Sequence, residues 1–199
     1  MEALSGTILH SIDDINTRPT LDRVKESLFN IIQNDIDDAV ILDLFTGSGA
    51  IAIEFLSRGA KEAYLCDNSK KSIEMAKKNL EKTRLIQKAH VFNMDYLECL
   101  NILNKQNIKF DIIFLDPPYK KDLSIRALKE IDSKQLLKEN GIVIIETDEP
   151  ERDIREIELL QVNFKMYDLR KYGRASLIFL KWREKQWKYL HYWRQLKIC

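Results

Sequence analysis

Hydrophobic residues in this chain of 199 residues form short apolar runs that alternate with stretches of helical spacing. The first run, VILDLF at residues 40–45, is nearly unbroken and ends in TGSG. This is typical of a strand that is buried on both faces and leads into a tight turn. Residues 50–59 then have helical spacing and end at a glycine, which favours the end of a helix.

The same alternation continues along most of the chain. Apolar runs predict further strands at residues 62–67, 89–95, 110–116 and 141–149, with helical spacing between them. Residues 163–182 predict two strands that are joined at KYGR as an antiparallel hairpin on one edge of the sheet. This order indicates an α/β fold, in which a mostly parallel sheet of seven strands has helices on both faces.

Composition excludes several classes of protein. With 32 Lys and Arg against 31 Asp and Glu, the chain has almost no net charge, so any binding to nucleic acid must come from local basic patches. The three cysteines are far apart and form no CxxC pair, which argues against a disulfide framework and a structural zinc site. No segment has the apolar length of a membrane span, and the N-terminus lacks a signal-peptide pattern. We therefore expect a reduced, soluble protein of the cytoplasm.

A glycine loop follows the first predicted strand, at the carboxyl edge where parallel sheets bind their ligands. Gly47 and Gly49 let the backbone turn tightly and approach a ligand, and the next helix offers free N–H groups to an anionic group such as a carboxylate. Asp67 ends the second strand about 20 residues further on, where a carboxylate can accept both hydroxyls of a ribose. The alternative is a plain strand-to-helix turn.

Two further aspartates indicate which kind of ligand the loop binds. Asp43, just before the loop, suits an amino group, which S-adenosylmethionine has and a pyrophosphate lacks. The loop also lacks the third glycine of a dinucleotide fingerprint and the Gly-Lys-Ser/Thr of a Walker loop. Asp95 ends a strand that we expect to neighbour the first one, so it can accept a hydrogen bond from an adenine amino group. Its alternative role is the N-cap of the following helix.

The motif LDPPY follows the fourth predicted strand. Pro117 and Pro118 fix the backbone and remove two N–H donors, so the turn presents carbonyl acceptors together with the Asp116 carboxylate. Such a site suits an NH2 group: Asp116 and the Pro117 carbonyl can each accept one N–H and aim the nitrogen lone pair at a methyl donor. Tyr119 can stack on the base. The alternative is a proline turn with Tyr119 packed in the core.

Together with these motifs, the upstream segment TRPTLDRVKESLFNII makes the chain resemble the RsmD family of small-subunit ribosomal RNA guanine-N2 methyltransferases. The resemblance runs from about Thr17 to Trp182. It implies a Rossmann-like class I methyltransferase fold, S-adenosylmethionine as methyl donor, no metal, and a flipped-out guanine in ribosomal RNA or the assembling small subunit as acceptor. It also implies catalytic residues at 116–119. The implied cofactor-binding residues are Asp43, Phe45, Thr46, Gly47, Gly49, Asp67, Asn68, Asp95 and Tyr96.

Basic residues around the site are candidates for RNA contact, namely Arg18, Arg23, Lys120, Lys121 and Arg174. The alternative for the Arg18 segment is a proline turn that leads into a core-facing helix. Family members usually carry several basic residues before the Arg-Pro-Thr segment, and a small polar or acidic residue after KYG. In this chain no Lys or Arg precedes Arg18, and Arg174 follows KYG.

We expect a monomer with one methyltransferase domain at residues 1–182, of which residues 1–20 form an N-terminal arm. Residues 183–199 mix basic and aromatic side chains, and this extension either contacts RNA or packs on the protein as an amphipathic helix. The sequence also allows two other functions. The motif LDPPY also suits a DNA adenine-N6 or cytosine-N4 methyltransferase, and a scaffold without catalysis could bind RNA.

Overall fold

The computed structural model describes residues 18–118, 122–160 and 162–183, and for residues 18–22 it describes only the backbone. Several predicted features lie outside these ranges: the arm before residue 18, the residues Tyr119, Lys120 and Lys121, and the extension from residue 184 onward. Their predicted roles therefore stay predictions.

Strands and helices alternate along the described chain. The strands are β1 (Val40–Asp43), β2 (Glu62–Asp67), β3 (Ala89–Asn93), β4 (Phe110–Leu115), β5 (Leu137–Thr147), β6 (Phe164–Tyr172) and β7 (Ala175–Trp182). The helices are α1 (Arg18–Ile31), α2 (Ala50–Ser57), α3 (Lys70–Lys82), α4 (Tyr96–Lys105), α5 (Leu123–Ser133) and α6 (Pro150–Leu159). Short 3-10 turns lie at Gln33–Asp35 and Ile86–Lys88.

All seven strands form one sheet in the order β3-β2-β1-β4-β5-β7-β6. Strands β1 to β5 are parallel to one another, whereas β7 is antiparallel to both β5 and β6. The predicted Rossmann-like sheet with an antiparallel edge hairpin is therefore confirmed.

Helices cover both faces of the sheet, as predicted. On one face, α1, α2 and α3 pack on side chains such as Ile41, Phe114 and Ile144. On the other face, α4, α5 and α6 pack on residues such as Leu42 and Val143. Successive strand residues point to opposite faces, which explains how nearly unbroken apolar runs fill both layers. None of the helices in the described ranges is long and apolar enough to cross a membrane.

One expectation about an individual element was wrong. Strand β3 pairs with β2 and lies two strands away from β1, so the end that leads to Asp95 does not neighbour the first strand. Helix α1 already begins at Arg18, so the structure does not contain the proline turn that was the alternative for this segment. Proline is accepted in the first turn of a helix because the N–H groups of that turn have no partner within the helix.

Candidate active site

Asp43, the last residue of β1, holds the glycine loop to the sheet. Its side chain is 1% exposed, and its Oδ2 accepts a hydrogen bond of 2.7 Å from the Thr46 hydroxyl. The backbone N–H of Ala52, in the first turn of α2, also donates to it. Burial raises the pKa of Asp43 to about 7, and the charges of Asp116 and Asp67 act in the same direction.

Asp67, at the end of β2, fixes the next part of the loop. Its Oδ2 accepts from the Gly47 N–H at 2.9 Å, and its Oδ1 accepts from the Ser69 N–H at 2.8 Å. Asn79 of α3 donates to the Ser48 carbonyl at 2.9 Å. Asp67, which is predicted to bind a ribose, therefore already holds the loop in place. Each of its oxygens has a further lone pair that is available for a ligand.

The two glycines of the loop are needed for different reasons. Both have positive φ, +54° at Gly47 and +78° at Gly49, which favours glycine. A Cβ on Gly49 would lie 3.1 Å from the Cβ of Ala76 and 3.3 Å from a methyl group of Leu65, so this position packs against α3 and β2. A Cβ on Gly47 would meet no atom within 4 Å. The Gly47 side of the loop is therefore open to a ligand.

The other predicted cofactor residues lie around this loop. The rings of Phe45 and Tyr96 are 5.6 Å apart, and Asn68 is exposed directly after β2. Asp95 is the N-cap of α4, where its Oδ1 accepts from the Leu97 N–H at 2.8 Å. Of the two roles predicted for Asp95, the structure therefore contains the capping role. Contact with an adenine stays a prediction.

Asp116 follows β4 directly and is exposed. Although the residue is exposed, the protein around its carboxyl group removes enough water to raise the pKa to about 6. Its side chain makes no hydrogen bond or ion pair with any residue in the described ranges. Pro117 and Pro118 come next, and Pro117 is partly exposed. The predicted acceptor turn thus lies beside the glycine loop, with its carboxylate available.

Glu146 belongs to the same edge, although it was not among the predicted site residues. The β4 and β5 pairing ends at Leu115 and Ile145, so the next residues, Asp116 and Glu146, lie side by side. Burial and the charge of Asp116 raise the pKa of Glu146 to about 8. The sequence feature that could have predicted Glu146 is a carboxylate at the end of an apolar strand, as at Asp43. No cluster of His, Cys, Asp and Glu among the described residues has the arrangement of a metal site.

Basic residues lie above this edge on α1 and on the β6–β7 turn. Ser27 of α1 and Tyr172 at the end of β6 form a hydroxyl–hydroxyl hydrogen bond, which joins the two elements. Arg23 and Arg174 are both exposed, and neither forms an ion pair with another described residue. Lys171 pairs with Glu151. The side chain of Arg18 is outside the described part of the chain, although its backbone begins α1.

Comparison with known proteins gives consistent matches. A protein of Bacillus subtilis named "Putative rRNA methyltransferase YlbH" is 40% identical over 77% of this chain and 80% of its own length. The "Ribosomal RNA small subunit methyltransferase D" of Haemophilus influenzae is 35% identical over 72% of this chain and 74% of its own. A solved structure of a conserved hypothetical protein from Streptococcus pyogenes matches with a TM-score of 0.67 at 27% identity, over 78% of this chain and 93% of that one.

The family described as Conserved hypothetical protein 95 matches residues 3–181. Since this match runs through most of the chain and includes both the glycine loop and the LDPPY motif, the protein belongs to that family, which is the RsmD family that its motifs resemble.

Proposed function

We propose that this protein transfers a methyl group from S-adenosylmethionine to the exocyclic N2 amine of a guanine in small-subunit ribosomal RNA. The observation that supports this proposal most strongly is the position of Asp116 and Pro117. They form a turn of hydrogen-bond acceptors directly after β4, next to the loop of Gly47 that follows β1. Family membership and the names of the relatives support the same substrate class.

The residues around the glycine loop fit S-adenosylmethionine. Open space at Gly47 lets a ligand approach the backbone, and Asp67 retains lone pairs that can accept from ribose hydroxyls. Asp43 lies buried below the loop, where an ammonium group of the methionine part would favour the ionised form of this carboxyl group and be stabilised by it. Phe45 and Tyr96 provide apolar surface near the adenine side. When bound, the cofactor supplies a methyl group on a positively charged sulfur.

Asp116 and the Pro117 carbonyl hold the target amine. An exocyclic base amine is a weak nucleophile, because its lone pair is delocalised into the ring. When both N–H groups are bound by acceptors, the lone pair is oriented and the positive charge that develops on nitrogen is stabilised. At neutral pH Asp116 is mostly ionised, since its pKa is about 6. It can therefore accept the proton that the amine loses after it gains the methyl group.

Contact with RNA is proposed for Arg23, Arg174, Arg18, Lys120 and Lys121. Arg23 and Arg174 are exposed on elements that the bond between Ser27 and Tyr172 holds together. An RNA whose target base has been flipped out toward Asp116 would bring its phosphates near these side chains.

Incubation with labelled S-adenosylmethionine tests this function. The methyl acceptors would be small ribosomal subunits, naked small-subunit RNA and DNA, and the labelled nucleoside would be identified after digestion. We expect N2-methylguanine from small-subunit RNA. N6-methyladenine or N4-methylcytosine in DNA would contradict the proposed substrate. Tight cofactor binding without any transfer would instead favour a scaffold that only binds RNA.

A further inference from the structure

Glu146 lies beside Asp116, on the neighbouring strand β5. Phe114 and Ile144 belong to the core layer under α1, α2 and α3, and Asp116 and Glu146 follow two residues later. Side chains two residues apart on a strand share a face, so Glu146, which is still within β5, points toward this face, and Asp116 comes directly after the last residue of β4. Strand β5 lies on the far side of β4 from β1. Glu146 is thus one strand further than Asp116 from the glycine loop.

Glu146 has no protein partner that explains its position. Among the residues that the structure describes, none forms a hydrogen bond or ion pair with its carboxyl group. The residue is partly buried and lies at the edge of the sheet, where it lines a small polar cleft with Pro117, Pro118 and the first residues of α5 and α6. A carboxyl group in such a place costs folding free energy unless a ligand pairs with it. Its position therefore calls for a ligand group that forms hydrogen bonds.

We propose that Glu146 binds the Watson–Crick edge of the target guanine at N1–H and O6, while Asp116 and Pro117 hold the neighbouring 2-amino group. This inference rests on the proposed function. It makes Glu146 a specificity-determining residue that selects guanine among the bases with an exocyclic amine.

The chemistry of the two carboxyl groups matches this edge. Guanine presents, in order, the N2 amine, the N1–H donor and the O6 acceptor. Since burial and the charge of Asp116 raise the pKa of Glu146, the group keeps its proton at neutral pH and offers one carbonyl acceptor and one O–H donor. The carbonyl oxygen accepts from N1–H and the O–H donates to O6. Asp116, which ionises first, remains an acceptor for the amine.

Adenine and cytosine fit this arrangement less well. Beside their exocyclic amines they have a ring nitrogen that only accepts, and no carbonyl oxygen follows on the same side of adenine. With the amine held at Asp116, adenine can use only the O–H of Glu146 and leaves its carbonyl oxygen unpaired. A site that is built for a hydrogen-bonding edge discriminates strongly against a base that leaves such groups unpaired.

The test uses the full-length protein and two RNAs that differ only at the methylated position, once that guanine has been mapped. One RNA has guanine there and the other has 2-aminopurine, which keeps the 2-amino group but lacks N1–H and O6. Wild type should prefer guanine in kcat/KM by roughly 10- to 100-fold, the usual discrimination of one bidentate base contact. In Glu146→Leu and Glu146→Ala this preference should fall to about 1. Glu146→Gln, which offers the same donor and acceptor pair, should restore most of it.

Glu139→Gln, an exposed glutamate at the other end of β5, is the matched control and should behave as wild type. S-adenosylmethionine affinity close to that of wild type shows that each variant is folded. If wild type makes N2-methylguanine but the Leu and Ala variants keep its full preference for guanine, the role of Glu146 is wrong and the proposed function stands. If wild type methylates only adenine or cytosine, the role of Glu146 and the proposed function are both wrong.

Discussion

The two halves of the candidate site use the same chemical group in opposite ways. On the β1–β2 side, Asp43 and Asp67 accept hydrogen bonds from Thr46 and from the loop backbone. On the β4–β5 side, Asp116 and Glu146 have no such partners in the described part of the protein. A paired carboxylate fixes the shape of its surroundings, whereas an unpaired one is available to a ligand. We infer that the first half is built to shape a cofactor pocket and the second to receive an amine.

The largest effect is expected for Asp116→Ala, which removes the acceptor on the β4–β5 side. Removing the acceptor should lower the rate of methyl transfer by roughly 10²- to 10³-fold, the range seen when one preorganised transition-state contact is deleted. The dissociation constant of S-adenosylmethionine should stay within about threefold of wild type, because no loop contact is lost. Single-turnover kinetics and equilibrium dialysis measure the two quantities. A variant that transfers methyl groups at nearly the wild-type rate would show that the amine binds elsewhere.

Asp67→Asn should have the opposite profile. The amide keeps the size of the side chain but offers one acceptor oxygen in place of two, so the loop and the ribose must compete for it. We expect the dissociation constant of the cofactor to rise about 10- to 100-fold, in line with the loss of one hydrogen bond to a charged group. Isothermal titration calorimetry measures this. An unchanged constant would mean that Asp67 serves only the loop.

The glycines of the loop provide a matched pair. In Gly49→Ala, strain at positive φ and the close approach to Ala76 should together lower the free energy of unfolding by about 2–4 kcal/mol. Gly47→Ala adds only the backbone strain, about 1–2 kcal/mol, since its Cβ enters open space. Urea unfolding should rank the two in this order. Cofactor titration should rank them the other way, with the weaker binding in Gly47→Ala, if the open side faces the cofactor.

A smaller effect concerns pH. Burial raises the pKa of Asp43 from 3.8 to about 7 in the folded protein, so folding favours its protonated form. The stability that this group contributes is complete below about pH 4 and is lost as the pH rises through about 7. Asp43→Asn removes this dependence. The difference in unfolding free energy, wild type minus variant, should therefore decrease from pH 5 to pH 8 in urea titrations. A difference that stays constant would contradict the raised pKa.

Local sequence was enough to predict the strands and the glycine loop, because an apolar run and a turn of glycines each reflect a local requirement. It was not enough to place β3 beside β2 or Glu146 beside Asp116. Those positions depend on the order and register of strands that are far apart in the chain. Glu146 also stands near the end of its strand, in the sequence ETDE, where acidic residues commonly follow an apolar strand without any role in a site. Only the pairing of β5 with β4, which puts Glu146 beside Asp116, distinguishes it from the acidic residues next to it.

The most direct test of the two halves is methyl transfer under single-turnover conditions, with S-adenosylmethionine raised to saturation for wild type, Asp67→Asn and Asp116→Ala. Our account predicts that saturation brings Asp67→Asn close to the wild-type rate, since only binding is weakened, and leaves Asp116→Ala at its residual rate. The account would be contradicted if saturation restored Asp116→Ala, or if it left Asp67→Asn as slow as before.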